Sequence, residues 1–287
     1  MVDARRIFFS AVLVLLGVVT GFAQSSAAGD RADALAEAAR KGDAAIVKKL
    51  LDEGVDVNTK YRYGATALSY ACDRGHLDVV KLLVDRGADV NVKDTFYNAT
   101  PLTWAVNPAM GRKPQHAEVV RLLLQHGAQG KEIALMAAVS APDAATTKVI
   151  LDVGGLSADA LSDALESATR GKHQDIVALL DQAGAKARVE LKLDAAQLAR
   201  YVGSYRGSAN QAQASLVVTA TDGRLTASVG GGGPRLTLVA RDQTTFGVVE
   251  QPGRTVTFRL EQDKAIAITL SAMGNGTSIS FTRIEDK

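Results

Sequence analysis

The sequence of 287 residues predicts a multidomain α + β fold, in which a helical solenoid of about five repeats precedes a small antiparallel β-barrel or meander. Two observations predict this class. A Leu-x-x-Ala pattern recurs every 30 to 34 residues through the first two-thirds of the chain. After about residue 190 the hydrophobic period changes to two, and turn-forming pairs separate the alternating stretches.

The first 23 residues have the layout of a secretory signal peptide. A basic start ends at Arg6, an uncharged apolar run covers residues 7–19, and small residues lead to Ala23. The run is shorter than the ~20 residues that a membrane-spanning helix needs, and an uncleaved anchor is the alternative. We expect cleavage after Ala23, a linker over residues 24–30, and an exported protein, periplasmic or secreted, that meets the membrane only through the signal peptide.

Five helical units are predicted over residues 31–188. One unit cannot bury both of its faces, so its neighbours must cover it. Within the second unit, Thr66 is placed to cap a helix, and Gly87 can end the next one in a left-handed conformation. The Leu and Ala that mark the five units are Leu35 and Ala38, Leu68 and Ala71, Leu102 and Ala105, Leu135 and Ala138, and Leu165 and Ala168.

These units resemble ankyrin repeats. The second reads "GATALSYACDRGHLDVVKLLVDRGADVN", and the third carries "ATPLTWAV" and "HAEVVRLLLQHGA". The resemblance implies a stack of helix pairs with turn fingers that binds proteins and does not catalyse a reaction. Ser69, Thr103 and Met136 stand where the family has a histidine. Residues 107–114 form an insertion between the helices of unit three.

Cys72 and His76 lie four residues apart, on one face of a helix, and raise the question of a metal or thiolate site. No second cysteine or neighbouring histidine supplies the three or four ligands that zinc needs. Both residues, together with His116, His126 and His173, have places in the repeat pattern. We therefore predict scaffold roles for them, no metal, no cofactor and no internal disulfide.

Aromatic residues are scarce at 5%, yet they cluster in units two and three. Tyr70 and Trp104 are one repeat apart, and in ankyrin arrays their position tends to face the concave groove. Large amphipathic rings dominate binding hot spots, which favours a partner-binding patch rimmed by Lys60 and Arg62. The alternative is that the rings pack between fingers and stiffen the stack. The predicted patch consists of Tyr61, Tyr63, Tyr70, Phe96, Tyr97 and Trp104.

The C-terminal domain, residues 189–287, is predicted to begin with a helix capped by Asp194 and Gln197 and to continue as seven or eight short antiparallel strands. The side chains that alternate along them are Leu225, Ala227 and Val229; Leu236, Leu238 and Ala240; Val256, Phe258 and Leu260; Ile266, Ile268 and Leu270; and Ile279 and Phe281. The segments "LARYVGSYRG" and "SFTRIE" resemble the small β domain of unknown function found behind serine β-lactamase-like hydrolases. In that family the domain is an accessory, and no catalytic residue carries over to this chain. The hydrolase itself is missing from the sequence.

The predicted function is binding of another protein through the concave face and fingers of the repeats. The alternative is a carrier that holds a small apolar ligand in the β-barrel. An enzyme is the third possibility, but the sequence offers no connected nucleophile, base or metal set. The net charge of +2, without a dense Lys/Arg block, gives no reason to expect nucleic acid.

Overall fold

A computed structural model describes residues 29–109, 111–188, 190–209, 212–230, 233, 235–251, 253–271 and 278–284. The predicted signal peptide, residues 1–23, lies outside the described residues. The contacts divide the chain into two compact units, Met1–Gln129 and Gly130–Lys287. The sequence-based boundary at residues 188 and 189 follows the change of hydrophobic period instead. Each compact unit is described by itself.

The first unit consists of helix pairs joined by extended fingers. The first finger covers residues 55–65 and the second residues 88–100. Helix α1 covers residues 29–41, so residues 29 and 30 of the predicted linker are helical. The pairs are closed by apolar side chains at the repeat positions, and Leu35, Leu68 and Leu102 are at most 2% exposed. The further helices of this unit are α2 Ala44–Asp52, α3 Ala67–Arg74, α4 Leu77–Asp85, α5 Pro101–Val106 and α6 Gln115–Gln125, with a 3₁₀ turn at Arg62–Gly64.

Helices α3 and α5 begin with the same device. The hydroxyl of Thr66 accepts the backbone N–H of Ser69, and the Ser69 hydroxyl accepts the N–H of Thr66 in return. Thr100 and Thr103 form the same reciprocal pair of hydrogen bonds one repeat later. Such capping boxes satisfy N–H groups that the helix leaves unpaired. Ser69 and Thr103, which replace the family's histidine, therefore have a local role at the helix start.

Gly75 shows how closely successive ankyrin-like repeats approach one another. It ends α3 in the left-handed region, with φ of 66°, and the ring of His116 lies against it. A Cβ at this position would come within 2.8 Å of that ring, so a side chain would have to push the ring away. The pair of Gly42 and His76 repeats the arrangement one unit earlier. Glycine is needed here for both its conformation and its size.

The second unit begins with two more helix pairs and continues into the β domain. Leu135 and Leu165, the equivalent repeat positions, are buried in it. Asp194 and Gln197 form the predicted capping box of the short helix that precedes the strands. Its helices are α7 Lys131–Ser140, α8 Ala144–Val153, α9 Ala158–Gly171, α10 Gln174–Gln182 and α11 Ala195–Ala199.

The β domain is a closed antiparallel barrel of eight strands, each paired with its neighbour in the chain, and β1 pairs with β8 to close it. The predicted fold class is thereby confirmed. Gly207 permits the closure, because a Cβ there would overlap the carbonyl oxygen of Ser280 on β8. The strands are β1 Gly203–Ala209, β2 Ala212–Thr221, β3 Arg224–Val229, β4 Arg235–Ala240, β5 Thr245–Val248, β6 Thr255–Glu261, β7 Lys264–Ser271 and β8 Ser278–Arg283.

Strand β7 departs from the predicted alternation of Ile266, Ile268 and Leu270. Leu260 pairs with Ala265 while its neighbour Arg259 pairs with Ala267, so Ile266 is an extra residue in the ladder. This bulge changes the phase of the strand, and Ala265 and Ile268 become the buried positions. Strand β5 was not among the stretches that the alternating pattern identified, because it has only four residues.

Aromatic side chains fill the centre of the barrel core. The ring of Phe258 lies 5.0 Å from that of Tyr201, 5.3 Å from that of Phe246 and 6.3 Å from that of Tyr205. The hydroxyl of Tyr205 donates to the Tyr201 carbonyl at 2.7 Å. Arg283 donates to the carbonyls of Val202 and Ala265. The residues on which the resemblance to the small β domain rests therefore lie in the barrel core or where β1 pairs with β8.

A buried carboxylate joins α9 to the barrel within the second unit. Asp163 Oδ1 lies 2.8 Å from a guanidinium nitrogen of Arg241, between β4 and β5, and 2.7 Å from one of Arg188. The Arg188 nitrogen is close but not aligned for a hydrogen bond. Burial raises the pKa of Asp163 in spite of these two cations. Removing one partner of such a pair leaves a buried charge without its counterion. The ion-paired group of Asp163, Arg188 and Arg241 therefore holds α9 against the barrel.

Candidate functional site

Five aromatic rings line a cleft in the first unit, which we call the aromatic cleft. Four of them form a continuous row of ring contacts: the Tyr63 and Phe96 centroids are 5.1 Å apart, Phe96 and Tyr97 4.6 Å, and Tyr97 and Trp104 5.6 Å. The cleft has a volume of about 380 Å³. It is lined by Tyr63, Tyr70, Phe96, Tyr97 and Trp104 together with Arg40, Arg62, Ala65, Ser69, Asp73, Asp94 and Ala109.

The rings differ in how much of them reaches solvent. Tyr97 is 68% exposed, Phe96 62% and Tyr63 48%, whereas Tyr70 and Trp104 are partly buried. The ankyrin pattern predicts that Tyr70 and Trp104 are the exposed pair. Their exposure is partial because Arg40 covers Tyr70 and the second finger covers Trp104. The open surface of the cleft therefore belongs to the finger residues.

Tyr61 occupies a different place from the other five rings. Its hydroxyl donates to the carbonyl of Ala32 in α1 at 2.7 Å, and its ring packs 6.0 Å from that of Tyr70. Burial raises the pKa of Tyr61 to about 12, so the phenol keeps its proton at neutral pH. Tyr61 is not among the residues that line the cleft. It ties the first finger to α1 and supports Tyr70 from behind.

Asp94 organises the open side of the cleft. Its side chain is 6% exposed, and Oδ1 accepts the backbone N–H groups of Phe96 and Tyr97 at 3.0 and 2.6 Å. Its other oxygen accepts the indole N–H of Trp104 at 3.1 Å. One buried carboxylate thus fixes three of the rings. The sequence reasoning missed this residue, although an Asp two residues before an amide is the pattern of an Asx-turn.

Two guanidinium groups stack on rings of the cleft. The Cζ of Arg40 lies 3.9 Å from the centre of the Tyr70 ring, and that of Arg62 lies 4.7 Å from the Tyr63 ring. Arg62 also donates to the Tyr63 hydroxyl at 2.7 Å. Lys60, the other residue expected at the rim, is exposed but does not line the cleft. The positive rim of the cleft consists of the two arginines.

Two asparagines hold the fingers in position. Asn58 donates to the Gly87 carbonyl and accepts the N–H of Asp89. Asn91, one repeat later, does the same with Gly127 and Gln129. A further bond joins the fingers directly, from the N–H of Thr95 to the Tyr63 carbonyl at 2.7 Å. The signal for these asparagines was available in the sequence as their 33-residue spacing within the repeat pattern.

Cys72 and His76 belong to the scaffold. Cys72 is fully buried, and burial raises the pKa of its thiol, so the thiolate is disfavoured. His76 Nε2 donates to the Arg40 carbonyl at 3.0 Å, and burial lowers the pKa of this histidine. His116 is fully buried and donates to the Asp73 carbonyl, and His126 contacts the Leu122 carbonyl. His76 and His116 therefore join successive repeats, and His126 bonds to a carbonyl at the end of its own helix.

Within the part of the chain that the structure describes, no three His, Cys, Asp or Glu side chains are grouped so as to hold a metal ion. The same residues include no helix with the length and apolarity needed to cross a membrane.

The alternative of an apolar ligand concerns the barrel. The ring cluster around Phe258 occupies its core, and a cleft of about 310 Å³ lies at its edge beside Leu191 and Leu193. That cleft reaches the core side chains Leu198 and Phe246. The core of the barrel is filled and the cleft at its edge is open, so a bound apolar ligand stays a prediction.

A family model described as ankyrin repeats, in three copies, matches residues 10–94 and 35–133. No match to this chain was found among curated proteins. The matched part contains α1 to α6 and therefore the whole aromatic cleft. Ankyrin repeats support a role in protein–protein interaction, and proteins built from them are typically interaction modules without enzymatic activity.

Proposed function

We propose that this chain is an exported binding protein whose aromatic cleft receives a segment of a partner protein. The observation that carries the proposal is the row of rings held by Asp94, in which Phe96 and Tyr97 are mostly exposed although they are large and apolar. Exposed rings in a fixed arrangement bind at a low entropic cost, because little freedom remains to be lost. Truncation of such an anchor costs about 2 kcal/mol or more in binding.

Stiffening of the stack, the other explanation of these rings, accounts for Tyr61 but not for Phe96 and Tyr97. Tyr61 ends in a hydrogen bond to α1, and its pKa shift reflects burial. Phe96 and Tyr97 contact each other at the surface and leave most of their area open to solvent. Rings that served packing alone would bury that area. The exposed finger rings therefore favour a binding surface.

The export part of the proposal rests on the pattern of residues 1–23. N-terminal sequencing of the protein recovered outside the inner membrane of a bacterial host should begin at Gln24, because cleavage is expected after Ala23. Replacing Leu15 with arginine interrupts the apolar run and should keep the chain in the cytoplasm. A mature protein that starts at Met1, or export that survives Leu15→Arg, contradicts the proposal.

The barrel is proposed to act as a second, accessory module. Its resemblance to the domain behind serine β-lactamase-like hydrolases rests on residues that the structure places in the core, such as Tyr201 and Tyr205. These side chains stabilise the domain and are not available for chemistry. The proposed activity of the whole chain is therefore recognition rather than catalysis.

Selection from a random 12-residue peptide library displayed on phage tests the proposed cleft. Phe96→Ser/Tyr97→Ser removes the exposed rings, and Ile46→Ser removes an exposed apolar side chain of the same unit as a matched control. We expect enriched peptides to bind the wild type and the control and to lose at least about 30-fold in affinity on the double variant, which corresponds to about 2 kcal/mol.

Peptides that bind all three proteins equally would place the binding surface elsewhere. Failure to enrich any peptide on the wild type would contradict a cleft that binds extended segments. Melting curves of the variants must match that of the wild type, which is expected because both replaced finger rings lie at the surface.

A further inference from the structure

We propose that the occupant of the aromatic cleft is an extended acidic peptide segment, in which carboxylates flank apolar side chains and Arg62 binds a carboxylate. This inference rests on the proposed function and adds the chemistry of the partner. Three features of the cleft carry it: its two carboxylates already accept N–H groups of the protein, its Arg62 guanidinium has no carboxylate partner among the described residues, and its rings form a continuous row.

The two acidic side chains of the cleft cannot attract a basic partner without giving up their own contacts. Asp94 is buried and accepts three N–H groups from Phe96, Tyr97 and Trp104. Asp73 accepts the backbone N–H of Ala109 at 2.6 Å and lies 3.5 Å from the guanidinium of Arg74. Both carboxylates are therefore engaged in hydrogen bonds within the protein, and they add little affinity for a lysine-rich segment.

The guanidinium of Arg62 has N–H donors that can bind a carboxylate of the partner. It lies flat over Tyr63 and gives one N–H to the hydroxyl of that tyrosine. Among the residues that the structure describes, no carboxylate lies within 4.0 Å of its guanidinium nitrogens. A guanidinium carries five donors in a planar fork that matches a carboxylate, and stacking on a ring holds the fork in place. Arg62 is therefore oriented and charged but lacks an acidic partner.

Arg40 supplies a second, weaker positive position. It stacks on Tyr70 at 3.9 Å. The carboxylate of Glu37, in the same helix, is 3.6 Å away and also pairs with Lys41. Both arginines line the cleft and are exposed. A segment that carries a carboxylate on each side of an apolar residue can contact both of them.

The line of rings favours an extended segment. Neighbouring ring centres from Tyr63 to Trp104 are 4.6 to 5.6 Å apart. An extended chain advances by roughly 3.3 Å per residue, so about four or five residues can follow the row. About six residues are enough to span the cleft, and these define the probe peptides.

Fluorescence of Trp104 provides the measurement, because it is the single tryptophan of the chain and lines the cleft. The probes are three capped hexapeptides with the sequences Glu-Glu-Leu-Phe-Glu-Glu, Gln-Gln-Leu-Phe-Gln-Gln and Lys-Lys-Leu-Phe-Lys-Lys. We expect affinities in the order acidic, neutral, basic, with about tenfold between the first two, the effect of one charge-assisted hydrogen bond. Added salt should reduce this preference.

Arg62→Gln should remove most of the advantage of the acidic peptide and leave the neutral peptide unchanged. Lys81→Gln, which deletes a positive charge at an exposed position of α4 that is not part of the cleft, should preserve the advantage. An equal loss in both variants would mean that net charge alone acts and would overturn the proposal. So would a basic peptide that binds best, or an Arg62→Gln protein that keeps the full preference.

The same measurements distinguish failure of the acidic-partner proposal from failure of the proposed binding function. If the neutral peptide binds and depends on Phe96 and Tyr97, while the acidic peptide has no advantage, the cleft stands and the acidic partner is wrong. If none of the three peptides alters the Trp104 fluorescence or binds by calorimetry, the acidic partner is again wrong. In that case the library selection with the Phe96→Ser/Tyr97→Ser protein decides whether the cleft binds peptides at all.

Discussion

Replacing Phe258 with alanine is expected to lower the free energy of unfolding of the barrel by about 3–5 kcal/mol, the cost of deleting a large buried aromatic side chain. Phe258 is 2% exposed and lies at the centre of the ring cluster. Its removal takes away contacts with Tyr201, Tyr205 and Phe246 at once. The surrounding strands are closed into a barrel and can collapse into the vacated space only in part.

Urea unfolding followed by far-ultraviolet circular dichroism measures this loss. Val229→Ala, at a position of β3 that is 40% exposed, is the matched control and should cost well under 1 kcal/mol. The peptide affinity reported by Trp104 should stay at the wild-type value, because the cleft belongs to the first unit. A Phe258→Ala protein as stable as Val229→Ala would mean that the core is loosely filled, and would favour the ligand-carrier alternative.

Replacing Asp94 with asparagine is expected to release Trp104 while leaving the finger turn in place. The amide oxygen of asparagine can still accept the N–H groups of Phe96 and Tyr97, but its NH₂ group cannot accept the indole N–H. The loss of one hydrogen bond to a charged acceptor should lower the free energy of unfolding of the first unit by about 2 kcal/mol. The emission of Trp104 should shift to longer wavelength as its ring becomes more exposed.

Asp85→Asn makes the same change of charge at an exposed position of α4 and should alter neither property. Binding should be compared with the neutral Gln-Gln-Leu-Phe-Gln-Gln peptide, because Asp94→Asn also removes a negative charge and would favour an acidic peptide for that reason alone. We expect a loss of about fivefold in affinity from the less ordered rings. Emission and stability equal to those of Asp85→Asn would show that Asp94 does not hold the cleft together.

The helical units were predictable because their signals are local and repeated. Thr66 and Thr100 cap their helices, and Leu35, Leu68 and Leu102 are buried as their spacing implies. The barrel strands with alternating side chains were equally visible. Strand β5 was missed because four residues carry too little pattern. The predicted burial of Ile266 in β7 was wrong, because the bulge at this residue depends on how two strands pair.

The aromatic residues of the cleft were identified from their clustering, but the order of their exposure was not. The pattern of the family favoured Tyr70 and Trp104, whereas Phe96 and Tyr97 present most of their area to solvent. That difference depends on a finger that folds back over Trp104 and on a guanidinium that covers Tyr70. Neither contact follows from spacing within one repeat.

The sequence by itself determined the two architectures, the helix caps, the scaffold roles of Cys72 and the histidines, and the region that holds the candidate site. These follow from periodicity and from the hydrogen-bonding capacity of single side chains, which act over a few residues. Only the tertiary structure decided that Asp94 accepts hydrogen bonds from three N–H groups and that Arg62 has no carboxylate partner among the described residues. The physical reason is that burial and pairing of a charge depend on side chains that meet only after the fingers of successive repeats stack.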